Sequence, residues 1–300
     1  MSPLSAWIQA IRPRTLPLAM SSTISGSFIA AAGKQFSWQV FLLASATTVL
    51  LQILANLAND YGDFTKGTDG GDRIGPERMV QSGLIRPRHM IVAISLVILL
   101  TLFTGILLII SGTQGTGIPV KILFLFVGFS AILAAVKYTV GRNPYGYKGL
   151  GDLFVFIFFG LVGVMGTYYL HTRQLTPGLI LPAASIGFLS TGVLNLNNMR
   201  DYNSDKFSFK KTLVVMMGSK KAKVYHLMLI GGAVVAVTIY TVINFKSGYQ
   251  FLFLVPVPIF VQNIITVFRN TQPVDLNNEL RKLALSTLLF SISFGLGLMI

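Results

Sequence analysis

Long apolar stretches alternate with short polar ones along nearly the whole chain. Nine windows read as apolar spans, at about 15–33, 38–58, 89–111, 119–140, 151–171, 177–197, 223–244, 249–268 and 282–300. A helix needs about 20 such residues to cross the hydrocarbon core of a bilayer. The bilayer offers no partner for an unpaired backbone amide, so spans of this kind are expected to be helical. The expected fold class is therefore all-α: one polytopic membrane domain over residues 1–300. The first window does not read as a cleaved signal peptide. It is long, follows Arg12 and Arg14, and lacks a small-residue cleavage pattern.

Composition agrees. Of 300 residues, 53% are hydrophobic and only 11% charged, against about 25% charged in a soluble domain. This excludes a soluble globular enzyme, a disordered chain and a coiled coil. Zero cysteines exclude disulfides and thiolate metal sites, and three histidines without short spacing argue against zinc or haem. The net charge of +14 points to membrane lipids with anionic headgroups or to an anionic substrate. The basic residues sit in short loops between spans, so no nucleic-acid partner is expected, and nothing implies an obligate protein partner.

Sorted by loop, 20 of the 24 Lys and Arg residues fall on the side of the N-terminus and the 2–3, 4–5, 6–7 and 8–9 loops. By the positive-inside rule that side faces the cytoplasm, with the N-terminus there and the protein in the plasma (inner) membrane. All ten acids lie on the same side, which topology does not require. The chemistry is expected at that face.

Two carboxylate clusters stand out. At the end of the second span, Asn56, Asn59, Asp60 and Asp63 fall at i, i+3, i+4 and i+7, one helical face, with Lys66 and Asp69 beyond. At the end of the sixth, Asn198, Asp201 and Asp205 fall at i, i+3 and i+7. Carboxylates gathered near hydrocarbon repel one another unless a cation lies between them. Hard oxygen ligands without His or Cys suit Mg²⁺, which takes one or two carboxylates and completes its shell with water and phosphate. Facing stripes would hold two or more Mg²⁺ ions and a diphosphate. Lys66, Arg73, Arg78, Arg142, Lys148 and Lys211 would neutralise the remaining phosphate charge. The bland alternative is helix-end caps and solvated charges, which suits a lone Asp better than two matched stripes.

The run Asn56-Leu-Ala-Asn59-Asp60-Tyr61-Gly62-Asp63-x2-Lys66-Gly67-x-Asp69 resembles the first aspartate-rich motif of the UbiA superfamily of intramembrane prenyltransferases, and Asn198-x2-Asp201-x3-Asp205 resembles its second. Further runs resemble the branch acting on 1,4-dihydroxy-2-naphthoate. They are Arg12-Pro-Arg14-Thr-Leu-Pro17, Gly75-Pro-x-Arg78-x-Val-Gln81-Ser-Gly83 and Tyr145-Gly-Tyr147-Lys-Gly149-Leu-Gly151-Asp152. One position departs: Phe209 stands where that branch has glycine, just before Lys210-Lys211-Thr212-Leu213, which puts the local loop geometry in question.

The resemblance implies a ring of nine helices around a central cavity, with cap loops at about 59–88 and 198–222. It implies transfer of a polyprenyl group from polyprenyl diphosphate to 1,4-dihydroxy-2-naphthoate, with loss of diphosphate and carbon dioxide. Within this chemistry Tyr138 and Tyr145 are candidates to face an allylic cation. Arg12, Arg14 or Lys137 would orient the acceptor carboxylate. Asp152 would bind metal, act as a base or hold a lysine, unless it merely caps a helix. Gly160, Gly163 and Gly166 would either open a groove for the isoprenoid tail or pack helices closely.

Other acceptors, such as 4-hydroxybenzoate, share the metal motifs. Two other classes fit less well. An intramembrane aspartyl protease is suggested only by Gly149-Leu-Gly151-Asp152. A secondary transporter would place its acids near mid-membrane, not all on one side.

Overall fold

The computed structural model describes residues 2–67 and 74–300. Its helices are α1 (Pro3–Ile11), α2 (Leu16–Ala32), α3 (Trp38–Lys66), α4 (Pro87–Gly112), α5 (Ile118–Lys137), α6 (Gly151–Val155), α7 (Thr167–Thr172), α8 (Ile180–Arg200), α9 (Tyr202–Phe207), α10 (Leu213–Met217), α11 (Ser219–Ile243), α12 (Val257–Arg269) and α13 (Leu276–Met299). A π-helix, Phe156–Gly166, joins α6 to α7 into one span. Among the described residues nine helical spans are long and apolar enough to cross a membrane.

The helix ends differ from expectation where it matters. α3 runs to Lys66 and α8 to Arg200, so the first stripe stays helical throughout, while the second breaks at Asp201 and resumes in α9. Polar residues at a span end need no apolar neighbours to remain helical, and α3 ends at Gly67, in the left-handed region (φ 63°) where glycine is unstrained. The cap after α8 holds two short helices, α9 and α10, the second capped by Thr212 Oγ1 accepting from the Val215 amide. The first span breaks at Arg12, left-handed at φ 56° ahead of Pro13, and α1 packs beside the stripe end of α3. There Ala6 and Ala10 meet Leu57, Met79, Val80 and Ile85.

α8 is the enclosed centre. It packs against α11, α13 and the π-helix, while α4 and α5 present Leu, Ile and Phe outward to lipid. Small residues permit this. A Cβ on Gly160 would lie 2.6 Å from the Ala183 carbonyl and 2.7 Å from Gly187 Cα; one on Gly163 would lie 2.7 Å from Ser22 Cβ. These two glycines bring helices together and open no groove, settling that alternative for them. Gly166 meets only Phe124, at 4.0 Å.

Candidate active site

The stripe on α3 is held by three kinds of bond. Asn56 turns towards the chain's first break: its Nδ2 donates to the Ile11 carbonyl (2.7 Å) and to Thr15 Oγ1 (2.9 Å). This corrects the diphosphate role expected of Asn56, because the amide's donors are spent anchoring the turn at Arg12. Asn59 Oδ1 lies 3.2 Å from Thr139 Oγ1, which also donates to the Ala58 carbonyl. Asp60 is buried, and its two oxygens accept the backbone amides of Met79 and Val80, each at 3.0 Å. It clasps the loop after α3 and is no longer a ready metal ligand. Asp63 faces the other way: its Oδ1 accepts from the Tyr147 hydroxyl at 2.8 Å and its Oδ2 pairs with Arg78.

The second stripe follows from α8. Arg200 clamps Asp201 through both oxygens, Nε to Oδ1 at 2.8 Å and Nη2 to Oδ2 at 2.6 Å. The same guanidinium donates to Asn197 and to Asn277 at the start of α13. Asp205 Oδ1 receives Lys210 Nζ at 3.3 Å.

Lys210 is the residue that joins the stripes. Its ammonium sits 5.4 Å from the ring centre of Tyr147, whose hydroxyl holds Asp63, and it feels the charges of Asp63, Asp205 and Asp201. Burial alone would push this ammonium down; the surrounding acids outweigh it and raise it above the usual lysine range. Burial raises the Asp205 carboxyl to about 6, with Lys210 opposing and Asp201 and Asp63 adding to the rise. Lys211, the expected phosphate ligand, is exposed instead and bonds Tyr147 only through its backbone. The signal for Lys210 was its place directly after Phe209, the position that departs from the resemblance.

That departure leaves the turn intact. Phe209 takes φ 56°, the left-handed conformation a glycine would adopt there. The Phe209 amide donates to the Lys206 carbonyl and the Lys210 amide to that of Asp205, which aims Lys210 inward.

Asp152 opens α6, buried against α8, where Thr191 Oγ1 lies 3.4 Å from its backbone carbonyl. Tyr225 on α11, a residue the sequence did not flag, stands beside its carboxylate. Tyr138 lies among Asp152, Asp205 and Asp63, its ring fitted against Gly146 and Gly151. Tyr138 and Tyr145 meet edge to face at 5.4 Å, and Tyr145 stacks on Phe154 at 4.1 Å. Burial first, then neighbouring acids for Tyr138 and its partner ring for Tyr145, hold both phenols well above the usual range. Both stay neutral, and the Tyr145 hydroxyl donates to the Ala134 carbonyl at 2.8 Å, so Tyr145 offers a ring face and no proton chemistry.

Lys66, Lys137, Arg142 and Lys148 are exposed. Lys66 Nζ reaches the Arg142 carbonyl at 3.4 Å, and Lys137 Nζ lies alongside Gly141. Lys137 therefore does not share the pocket of Tyr138, because at the end of α5 it turns outward. Asp69 and Arg73 lie outside the described residues.

Among the described residues, the buried oxygens without a hydrogen-bond partner include Asn198 Oδ1, Asp205 Oδ2 and Asp152 Oδ1. An unpaired buried carboxylate oxygen is costly unless something else supplies the missing positive charge. Among the described residues no three acids or histidines form a ready cage.

A match to the UbiA prenyltransferase family spans residues 19–294. The chain belongs to this family. It is 42% identical to the 1,4-dihydroxy-2-naphthoate octaprenyltransferase of Escherichia coli K12, covering 99% of this chain and 96% of the relative. The Mycobacterium leprae protein described the same way is 34% identical over 98% of this chain and 96% of its own length. Among solved structures, a UbiA homolog from Archaeoglobus fulgidus bound to GPP and Mg²⁺ aligns with a TM-score of 0.65 at 15% identity, covering 98% of this chain and 99% of that one. The apo UbiA homolog from Aeropyrum pernix K1 gives 0.65 at 14% identity, over 99% and 98%. At such identities the likeness concerns the fold: an all-helical, multi-pass membrane protein.

Proposed function

We propose that this UbiA-family protein transfers a polyprenyl group from polyprenyl diphosphate to 1,4-dihydroxy-2-naphthoate. The C–O bond to diphosphate breaks. A C–C bond forms at the ring carbon bearing the carboxylate, and carbon dioxide leaves, its bonding electrons returning to the ring. The observation that carries the reading is the place of Lys210 between the two stripes: its largely enclosed ammonium pairs with Asp205, whose Oδ2 has no partner, and lies beside Tyr147, whose hydroxyl holds Asp63.

Asn198, Asp205, Asp201 and Asp63 would hold Mg²⁺, two ions or more. Bound there, the metal would stabilise the charge developing on departing diphosphate. Lys210, Arg78 and Arg200 already stand against these acids and would turn to phosphate oxygens. Tyr138 and Tyr145 present ring faces towards the allylic carbon, and burial excludes water that would quench it. Asp152 Oδ1, without a partner, would accept the hydroxyl hydrogen of the acceptor, making the ring carbon more nucleophilic. Tyr225 positions that carboxylate. Arg12, whose charge faces Asp60, belongs beside the phosphate end. The whole chain acts as one unit, its site on the cytoplasmic side of the inner membrane, in keeping with the charge asymmetry.

The test is diphosphate release by purified protein with a long-chain prenyl diphosphate, with and without Mg²⁺, comparing 1,4-dihydroxy-2-naphthoate with 4-hydroxybenzoate. Mg²⁺-dependent release with the naphthoate alone is expected. Release with 4-hydroxybenzoate instead would overturn the acceptor and keep the metal site.

A further inference from the structure

Beyond the end of α8 the chain exposes two large aromatic side chains, Phe207 at 88% and Phe209 at 87%. Exposed Leu, Ile and Phe on α4 and α5 lie within spans and meet lipid; these two lie between spans, at the end of α9 and in the turn after it. Phe209 moreover occupies a left-handed backbone position that favours glycine, so neither its backbone nor its contacts within the fold account for a phenyl group there. Lys206 and Lys211 flank the pair and are exposed, as are Lys220 and Lys221. The acids of the segment, Asp201 and Asp205, are buried and paired inward.

The position of the loop is fixed. The Lys211 amide donates to the Tyr147 carbonyl, pinning the loop to the turn just before the span that opens at Gly151. Leu150 and Leu153 are exposed on that side of the tether, and Met216, Val224, Leu227 and Met228 beyond the loop. The two phenyl groups thus belong to a segment tied next to the start of an apolar span.

We propose that Lys206–Lys211 is a membrane-surface anchor: Phe207 and Phe209 insert into the headgroup and glycerol layer, and Lys206 and Lys211 pair with anionic headgroups. Aromatic residues beside lysines without exposed acids match an anionic lipid surface in both polarity and charge. The anchor ties the loop that aims Lys210 to the surface of the bilayer, whatever substrate the site takes.

The test places a probe in the full-length protein in lipid nanodiscs. F209W and F207W are compared with the parent chain, whose own Trp7 and Trp38 give the background to subtract. The added indole should be quenched by lipids brominated high on the acyl chain and shielded from aqueous iodide. In F207W, shielding should weaken when phosphatidylglycerol is replaced by phosphatidylcholine and when K206Q is added. Quenching by iodide with no effect of brominated lipid would place the loop in water and overturn the proposal. Shielding that ignores bromination and vanishes at one chain per disc would overturn it in favour of a second copy. F207W sits on ordinary α9 backbone, so it reports even if F209W fails to fold.

Discussion

Asp60 and Asp63 stand three residues apart on one helix, yet different partners hold them. Two backbone amides hold Asp60; a tyrosine hydroxyl and an arginine hold Asp63. Removing Asp60 strands the Met79 and Val80 amides, so D60A should lose about 2 kcal/mol of stability. D60N should keep Mg²⁺-dependent turnover within about tenfold of the parent (about 1.4 kcal/mol). D63N should abolish turnover with an unchanged circular-dichroism spectrum. Equal loss of turnover in D60N and D63N would return Asp60 to the metal.

At Phe209 a direct comparison isolates the backbone. F209G and F209A both delete the phenyl group, but only glycine accepts φ 56° freely. F209G should exceed F209A in stability by about 1 kcal/mol in a detergent unfolding titration. Asp205 gives a pH signature. Its folded value near 6 lies above the ordinary 3.8. In that window the folded protein holds a proton that the unfolded chain releases. The metal-free protein should therefore lose this contribution as pH rises through 6 and regain it towards 4. Mg²⁺ needs the ionised form, so its affinity, measured by calorimetry, should weaken from pH 7 to 5. D205N should flatten both curves.

At the scale of elements, the sequence placed the nine spans well because apolar runs of span length have few alternatives in a bilayer. It placed their ends less well. Hydropathy falls at Asn56 and Asn195, but helical hydrogen bonding does not, so α3 continues through its polar stripe and α8 runs to Arg200, with α9 carrying the rest of the second stripe. The i, i+3, i+7 spacing picked out the polar residues at these two helix ends. It could not find the loop partners of Asp60 or the tether of Asn56, which depend on residues 20 and 41 to 45 positions away in sequence. Nor could it divide the glycines between packing and open space. In the structure that division gives a prediction. A Cβ at Gly160 meets rigid backbone of α8, whereas at Gly166 the nearest atom is a flexible Phe124 ring edge. G160A should cost about 1–3 kcal/mol and G166A should be neutral or slightly stabilising, judged by thermal unfolding in detergent.

For the whole molecule the decisive feature is that the site is assembled from opposite parts of the chain. The first stripe comes from α3, the second from α8 and α9, and Asp152 from α6; Lys210 and Arg200 bind these parts together through charge. Arg200 reaches α13 through Asn277, which in turn contacts the Ile74 carbonyl 3.5 Å away. The loop bearing Lys210 is tied to the 145–148 turn. Without metal, cationic side chains stand where opposing carboxylates would otherwise repel. K210M removes one of them and leaves the buried Asp205 without its ion-pair partner, so the metal-free protein should unfold several degrees lower. Mg²⁺ with inorganic diphosphate binds the folded state only and should restore that stability, by about 2.7 kcal/mol at one hundred times the dissociation constant. It should not restore turnover, because the departing diphosphate still lacks its lysine. Thermal unfolding and diphosphate release on the same preparation separate the two effects. If K210M unfolds like the parent without metal, the lysine does not bridge the stripes; if Mg²⁺ rescues turnover as well, its charge is dispensable for the reaction.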